Sequence, residues 1–229
     1  HRMPRIEEAG KFIESVDLSP SAKRVAISAR GEVFTVPAEN GPVRNITRTP
    51  AAREIDATWS PDGKQLAYLS DESGEYEIWV RAQSGAGAAK RITTDGSVWR
   101  FFPVWSPDGK KLMFGDKGQR LRIVDVASGR MTVVDESRFN DFTDYSWSPD
   151  SRFVAYTKDN RASFSSVWVY ALDERVTRQV TTDMTRDANP VFDPKGRYLY
   201  FLSSRDQNLE FSSIEFNYMV TKSIRVYAV

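Results

Sequence analysis

The 229-residue chain has no cysteine and a single histidine, His1. The first absence excludes disulfides and thiolate chemistry, and the two together exclude zinc sites built on Cys or His. A serine nucleophile would have only a terminal histidine as its base, so no catalytic residue is assigned. No motif marks a Ser–Lys dyad, and no Gly-rich phosphate loop is present. Lys and Arg number 32 against 31 Asp and Glu, a formal charge of +1. That balance leaves no electrostatic footprint for nucleic acid or an anionic membrane. No apolar run reaches the roughly 18 residues needed to span a bilayer. No signal-peptide pattern opens the chain. No cofactor, metal, nucleic-acid partner or membrane insertion is expected. The cytoplasm is favoured as the compartment, with the periplasm as the alternative.

Helical period is also lacking; a repeat stands in its place. WSPDG occurs at 59–63 and at 105–109, and WSPDS at 147–151. Aligned on the Ser-Pro step, the copies begin at Ser19, Ser60, Ser106 and Ser148, with Asp193-Pro194 as a fifth. The spacings are 41, 46, 42 and 45 residues. In each copy a short apolar stretch leads into a turn, and a run apolar on consecutive residues follows, such as Leu66-Ala67-Tyr68-Leu69. Consecutive apolar residues point to a strand buried on both faces. A third run (Ile78-Trp79-Val80) and a shorter, more polar fourth (Arg91-Ile92-Thr93) complete the unit. Four short strands per ~40–45 residues are the signature of a β-propeller blade. The expected fold is therefore all-β, a propeller of four-stranded antiparallel blades, five in this chain. The repeats fall at about 11–50, 51–95, 96–137, 138–183 and 184–229 of a single 1–229 propeller.

The fifth copy lacks a fourth strand, and Arg5-Ile6-Glu7 reads as an orphan outer strand. Two readings follow. Residues 4–7 close a five-bladed ring, or the chain is part of a larger propeller whose open ends pair with themselves or a neighbour.

The recurrent Asp62, Asp108, Asp150 and Asp193 are read as turn chemistry rather than as metal ligands or acid–base groups. Trp59, Trp105 and Trp147 share one repeat position and are read as packing between blades. The connections between fourth and first strands lie at one mouth of the propeller channel. They carry Arg53, Trp99, Arg100, Phe101 and Arg186, the candidate peptide-contacting residues. There the arginines would attract peptide carboxylates or carbonyls. The competing role for the arginines is pairing with neighbouring acids such as Glu54 and Asp187. The long 206–220 connection, with its aromatic residues, is a further candidate contact surface.

WSPDGKQLAYLSDESGEYEIWV (59–80) is similar to the repeats of the Tol-system propeller and of tricorn-type proteases. RGEVFTVPAENGPVRNITRTP (30–50), VWSPDGKKLMFGDKGQRLRIVDVASG (104–129), FDPKGRYLYFLSSRDQN (192–208) and SIRVYAV (223–229) resemble the second propeller of the tricorn-like serine peptidase family. The resemblance implies a non-catalytic module that sieves or channels peptide toward a separate catalytic domain. Its partners would be peptide or protein and the remaining domains of a larger peptidase. In that family the second propeller has seven blades, whereas this sequence supplies five and no catalytic domain. The alternative is a stand-alone Tol-type scaffold for protein–protein interaction.

Overall fold

The computed structural model describes residues 9–206, 208–211, 218–221 and 223–229. After a 3-10 turn at Ala9–Phe12, everything regular among the described residues is β. The first repeat forms β1 (Ile13–Leu18), β2 (Arg24–Ala29), β3 (Glu32–Pro37) and β4 (Arg44–Asn45). The second forms β5 (Glu54–Trp59), β6 (Gln65–Ser70), β7 (Glu77–Ala82) and β8 (Lys90–Arg91). The third forms β9 (Arg100–Trp105), β10 (Lys111–Asp116), β11 (Arg120–Asp125) and β12 (Met131–Glu136). The fourth forms β13 (Tyr145–Trp147), β14 (Phe153–Asp159), β15 (Ser165–Ala171) and β16 (Val176–Gln179). The strands of each of these repeats make one four-stranded sheet in chain order. The last repeat gives β17 (Asp187–Phe192), β18 (Leu199–Ser203) and β21 (Arg225–Ala228) in one three-stranded sheet. Between β18 and β21 a separate antiparallel hairpin pairs β19 (Asn208–Phe211) with β20 (Tyr218–Thr221). The expected closing strand at 4–7 lies outside the described residues.

The Ser-Pro-Asp-Gly turn closes the hairpin between first and second strands by one recurring set of bonds. Ser60 Oγ accepts from Gln65 N–H at 2.9 Å and donates to Asp62 Oδ1 at 2.7 Å. Asp62 Oδ1 accepts in turn from Lys64 N–H at 3.0 Å. Ser106 with Asp108, and Ser148 with Asp150, repeat the pattern. At the fifth copy the Asp193 carboxylate stands in the serine position and itself accepts from Lys195 and Arg197 N–H. The turn also needs a left-handed residue, with φ of +69° at Gly63 and Gly109 and +66° at Gly196. In the two copies without that glycine, Ala22 (φ +55°) and Ser151 (φ +60°) take the same conformation at a steric cost.

The chain forms two compact units, residues 1–105 with 124–130, and residues 106–123 with 131–229. In the first, Ala26, Val33 and Ile46 of one blade pack against Ala57, Trp59, Leu66 and Tyr68 of the next. In the second, Ala155 and Val167 pack against Leu199 and Phe201. Leu66, Ala67 and Leu69 are fully buried, as are Leu112, Met113 and Phe114. These middle strands are covered on both faces, which is why they are apolar on consecutive residues. Burying a large apolar side chain of this kind is worth about 1.5–3 kcal/mol.

The fourth strands of the first two repeats are shorter than their sequence suggests, whereas β12 runs for six residues. Strands β4 and β8 stop at Asn45 and Arg91, and the following Ile46 and Ile92 turn into the core. The next threonine then hooks the chain back: Thr47 Oγ1 accepts from Val33 N–H at 3.1 Å. Thr93 Oγ1 accepts from Ile78 N–H, and Thr181 Oγ1 from Val167 N–H, each at 2.9 Å. The side chain thus replaces a ladder bond that the departing backbone gives up.

Candidate functional site

Each opening strand is an edge of its own sheet. Within the first unit β1 lies against β5 and β5 against β9; within the second β13 lies against β17. These strands are bulged. Pairing shifts between Ile55 and Thr58 and between Ala188 and Val191. Asp56 (φ +54°), Phe102 (φ +36°) and Asn189 (φ +51°) are left-handed, each four residues ahead of its Ser-Pro or Asp-Pro step. The backbone groups a bulge frees go to the preceding blade: Ala57 N–H donates to Ser28 Oγ at 3.3 Å, and Asn189 N–H to Asp144 Oδ2 at 2.5 Å. A bulge re-aims the side chain it carries. Phe102 is 52% exposed and Asn189 is exposed, while Asp56 is half-buried. Burial, reinforced by the Glu14 charge, holds the Asp56 carboxyl above its usual range, and Arg53 opposes the shift.

Four of the five candidate residues fall into two registers counted from the same step, and Phe101 stands five ahead of it. Arg53, Trp99 and Arg186 stand seven residues ahead of it; Arg100 stands six ahead, with Glu54, Phe142 and Asp187. Alternate residues of a strand face opposite sides, and the burial follows. These four, at the six-ahead position of the second to fifth copies, are essentially buried, whereas Ile13 at the same position of the first is 40% exposed. Arg100, expected at a channel mouth, has a side chain with no exposed surface. Its guanidinium donates to the Tyr76 carbonyl, pairs with Asp95, and lies 3.1 Å from the Glu77 carboxylate. Glu77 also accepts from Thr93 Oγ1, and from Gly96 N–H at 2.6 Å. Arg100 thus supports the interior of the blade and presents no face to a peptide.

The seven-ahead residues are exposed. The Arg53 side chain, 52% exposed, pairs with Glu14 of the preceding blade at 2.9 Å, not with Glu54. Glu14, with a smaller contribution from Tyr76, raises the Arg53 pKa. Trp99 is 41% exposed and meets the edge of the half-buried Tyr76 ring, centroids 4.6 Å apart. Arg53, Tyr76 and Trp99 therefore form one corner of the first unit, with Glu14 and Asp56 beside it. Phe101 is half-buried and stacks on Phe102 at 6.4 Å. Arg186 is exposed in the second unit; Asp187 beside it is buried and pairs with Arg205 at 3.3 Å instead.

Glu14, Asp56, Tyr76 and Phe102 were missed in sequence. Tyr76 sits in another connection, and the bulge that turns Asp56 and Phe102 has no signature of its own. Among the described residues, no three histidines or carboxylates converge as a metal site. No helix among them is long and apolar enough to cross a membrane.

Comparison with known proteins places this architecture. A solved crystal structure of the tricorn protease superposes on the whole of this chain with a TM-score of 0.84, at 20% identity and over 23% of its own length. TolB from Acinetobacter baumannii matches 86% of this chain and 50% of its own, with a TM-score of 0.61 and 20% identity. At such identity these likenesses show the fold, a β-propeller. Among curated sequences, a tricorn protease homolog of Saccharolobus solfataricus is 26% identical over 90% of the chain. A tricorn protease of Thermoplasma volcanium is 27% identical over 96%. The chain spans only 18% and 21% of the lengths of these two relatives. The family model described as the tricorn protease second beta propeller domain matches residues 13–229, and the chain belongs to that family.

Proposed function

We propose that the chain is a non-catalytic propeller module of a tricorn-like peptidase that holds extended peptide for a separate catalytic domain. The observation that carries this reading is the exposed corner of Arg53, Tyr76 and Trp99, which stand just ahead of β5, β7 and β9. An exposed ion pair such as Arg53–Glu14 is worth at most about 1 kcal/mol. Arg53 can therefore exchange its partner for a peptide carboxylate or carbonyl at little cost. Trp99 offers a half-open aromatic face beside it, and Arg186 presents the same register in the second unit. Contacts of this kind grip backbone and charge with little demand on peptide sequence, which suits passage of an unfolded chain.

The test is fluorescence anisotropy of a labelled, unstructured peptide. Arg53→Ala and Trp99→Ala are each expected to weaken binding by roughly five- to tenfold, about 1–1.4 kcal/mol. Arg186→Ala is expected to weaken it less. Affinities within twofold of the parent for Arg53→Ala and Trp99→Ala would overturn the assignment. The chain alone is expected to hydrolyse none of these peptides.

A further inference from the structure

Two equivalent junctions between blades differ in charge. Between the second and third blades the Glu77 carboxylate faces the Arg100 guanidinium at 3.1 Å, and Asp95 pairs with the same guanidinium. Between the first and second blades, Glu32 stands in the place of Glu77. It opens β3 as Glu77 opens β7, and it accepts from the Thr47 hydroxyl as Glu77 does from that of Thr93. Glu54 stands in the place of Arg100, six ahead of the repeat step. Thr49 stands in that of Asp95, two residues after the hooking threonine. One arginine against two acids has become two acids with no base. The Arg81 guanidinium is committed to the carbonyls of Thr47, Gly85 and Gly87. Among the described residues no basic side chain pairs with Glu32 or Glu54.

Each of the two carboxylates is held through one oxygen. Glu32 Oε2 accepts from Thr47 Oγ1 at 2.7 Å and from Arg48 N–H at 2.8 Å. Glu54 Oε1 accepts from Thr49 Oγ1 at 2.7 Å and from Ser70 Oγ at 3.1 Å. Thr49 ties the pair together, because its N–H is directed at Glu32 Oε2 at 3.4 Å. The Glu54 side chain belongs to a residue only 1% exposed, and its second oxygen, Oε2, is buried and meets no donor. A charged group this deep persists only where it is paired, hydrogen-bonded or bound to a metal ion. The position that supplies a guanidinium at the next junction supplies a free carboxylate oxygen here.

We propose that a hard divalent cation, Ca2+ in preference to Mg2+, binds between the first and second blades on Glu32 and Glu54, in the place that the Arg100 guanidinium takes between the second and third. The two carboxylates balance its charge, and the Thr49 hydroxyl oxygen offers a third ligand between them. The carboxylates come from different strands and are fixed by their own hydrogen bonds. Such a set suits Ca2+, which accepts irregular oxygen shells, better than Mg2+, which demands a near-ideal octahedron.

Isothermal titration of the chelator-treated chain with CaCl2 at neutral pH tests the site. With only two carboxylates, one site of Kd about 10⁻⁴–10⁻³ M is expected. Ca2+ at about ten times that Kd is expected to raise Tm by roughly 3–6 °C. Glu54→Gln and Glu32→Gln are each expected to weaken binding at least tenfold and to abolish the rise in Tm. Glu32 is half-buried, so its variant keeps the test readable should Glu54→Gln misfold. Glu54→Arg, which copies the Glu77–Arg100 pair, is expected to make Tm independent of Ca2+. A parent Tm unmoved by Ca2+, an equal rise in the parent and in the folded Gln variants, or Mg2+ binding as tightly as Ca2+ would each overturn the proposal. The first result, joined to a Glu54→Gln chain more stable than the parent, would assign the free oxygen to a proton instead.

Discussion

Replacing Arg100 by alanine tests whether this arginine supports the fold or the binding surface. Its side chain has no exposed surface, and that of Glu77 is 4% exposed. Removing one member of a buried pair leaves an uncompensated charge, at a cost of about 3–5 kcal/mol. Glu77 keeps the Thr93 hydroxyl and the Gly96 N–H, which places the loss near the lower end, about 3 kcal/mol. Asp95 is 38% exposed and rehydrates, adding little. The Tyr76 carbonyl loses its guanidinium donor, about a further 1 kcal/mol. The sum, about 4 kcal/mol, corresponds to a Tm lower by roughly 8–16 °C for a chain of this size. Thermal unfolding followed by circular dichroism measures it. The Arg100→Met/Glu77→Gln double variant, which removes both charges at similar volume, is expected to lose less than Arg100→Ala alone. A Tm within about 3 °C of the parent, together with weakened peptide binding, would refute the reasoning and return Arg100 to the surface set.

Three further outcomes follow from the turns, the bulge and the closest backbone approach. Ala22→Gly relieves a left-handed alanine and is expected to stabilise by about 1 kcal/mol. Ser151→Gly relieves the same strain but loses the bond its Oγ accepts from Asp108 N–H at 3.0 Å, and is expected to be near neutral in the same melts. Asp56 binds its proton more readily folded than unfolded, so stability falls as pH rises from its ordinary 3.8 through the higher folded value. Asp56→Asn, which suits the left-handed position, is therefore expected to raise Tm at neutral pH and leave it unchanged well below that window. Gly115 is expected to tolerate no side chain, because a Cβ there would stand 2.0 Å from the Phe142 carbonyl oxygen. Gly115→Ala should cost about 3 kcal/mol or more, read as loss of a cooperative unfolding transition.

The fold was legible because its two strongest demands are local. A Ser-Pro-Asp-Gly turn satisfies its own donors within six residues, and a strand covered on both faces must be apolar on consecutive positions. Both leave marks in sequence that survive substitution, as Asp193 in the serine position shows. The third strand of the last blade was legible for the same reason, although the β19–β20 hairpin separates it from β18. The site was legible only in part. Arg100 and Arg53 look alike in composition, but counting from the repeat step puts them one residue apart and so on opposite sides of a strand. The same alternation explains why Arg53 does not pair with Glu54, nor Arg186 with Asp187: neighbours along a strand point away from each other. Glu14, the partner of Arg53, comes from the preceding blade, 39 residues away. Only the packing of one blade on the next could supply it.

The repeat also separates what the fold requires from what it leaves free. Positions one before and six and eight after the step must fill the space between blades, and they are apolar in every copy. The position six before it is buried in the second to fifth blades, and even a charge is accepted there when it is paired, as with Arg100 and Asp187. Seven before the step, by contrast, the copies read Phe12, Arg53, Trp99, Asp141 and Arg186, and four before it Ser15, Asp56, Phe102, Asp144 and Asn189. No packing rule unites these residues. The bulge that displays Asp56 and Asn189 is held by main-chain N–H donors bonded to side chains of the preceding blade, Ser28 and Asp144, so Asp144 is itself part of the frame while Asp56 and Asn189 can change without altering it. At the start of its opening strand a blade of this kind thus holds a position constrained by packing, six before the step, next to one that packing leaves open, seven before it. Arg53 and Trp99 take the open position, and Arg100, one residue further on, the constrained one.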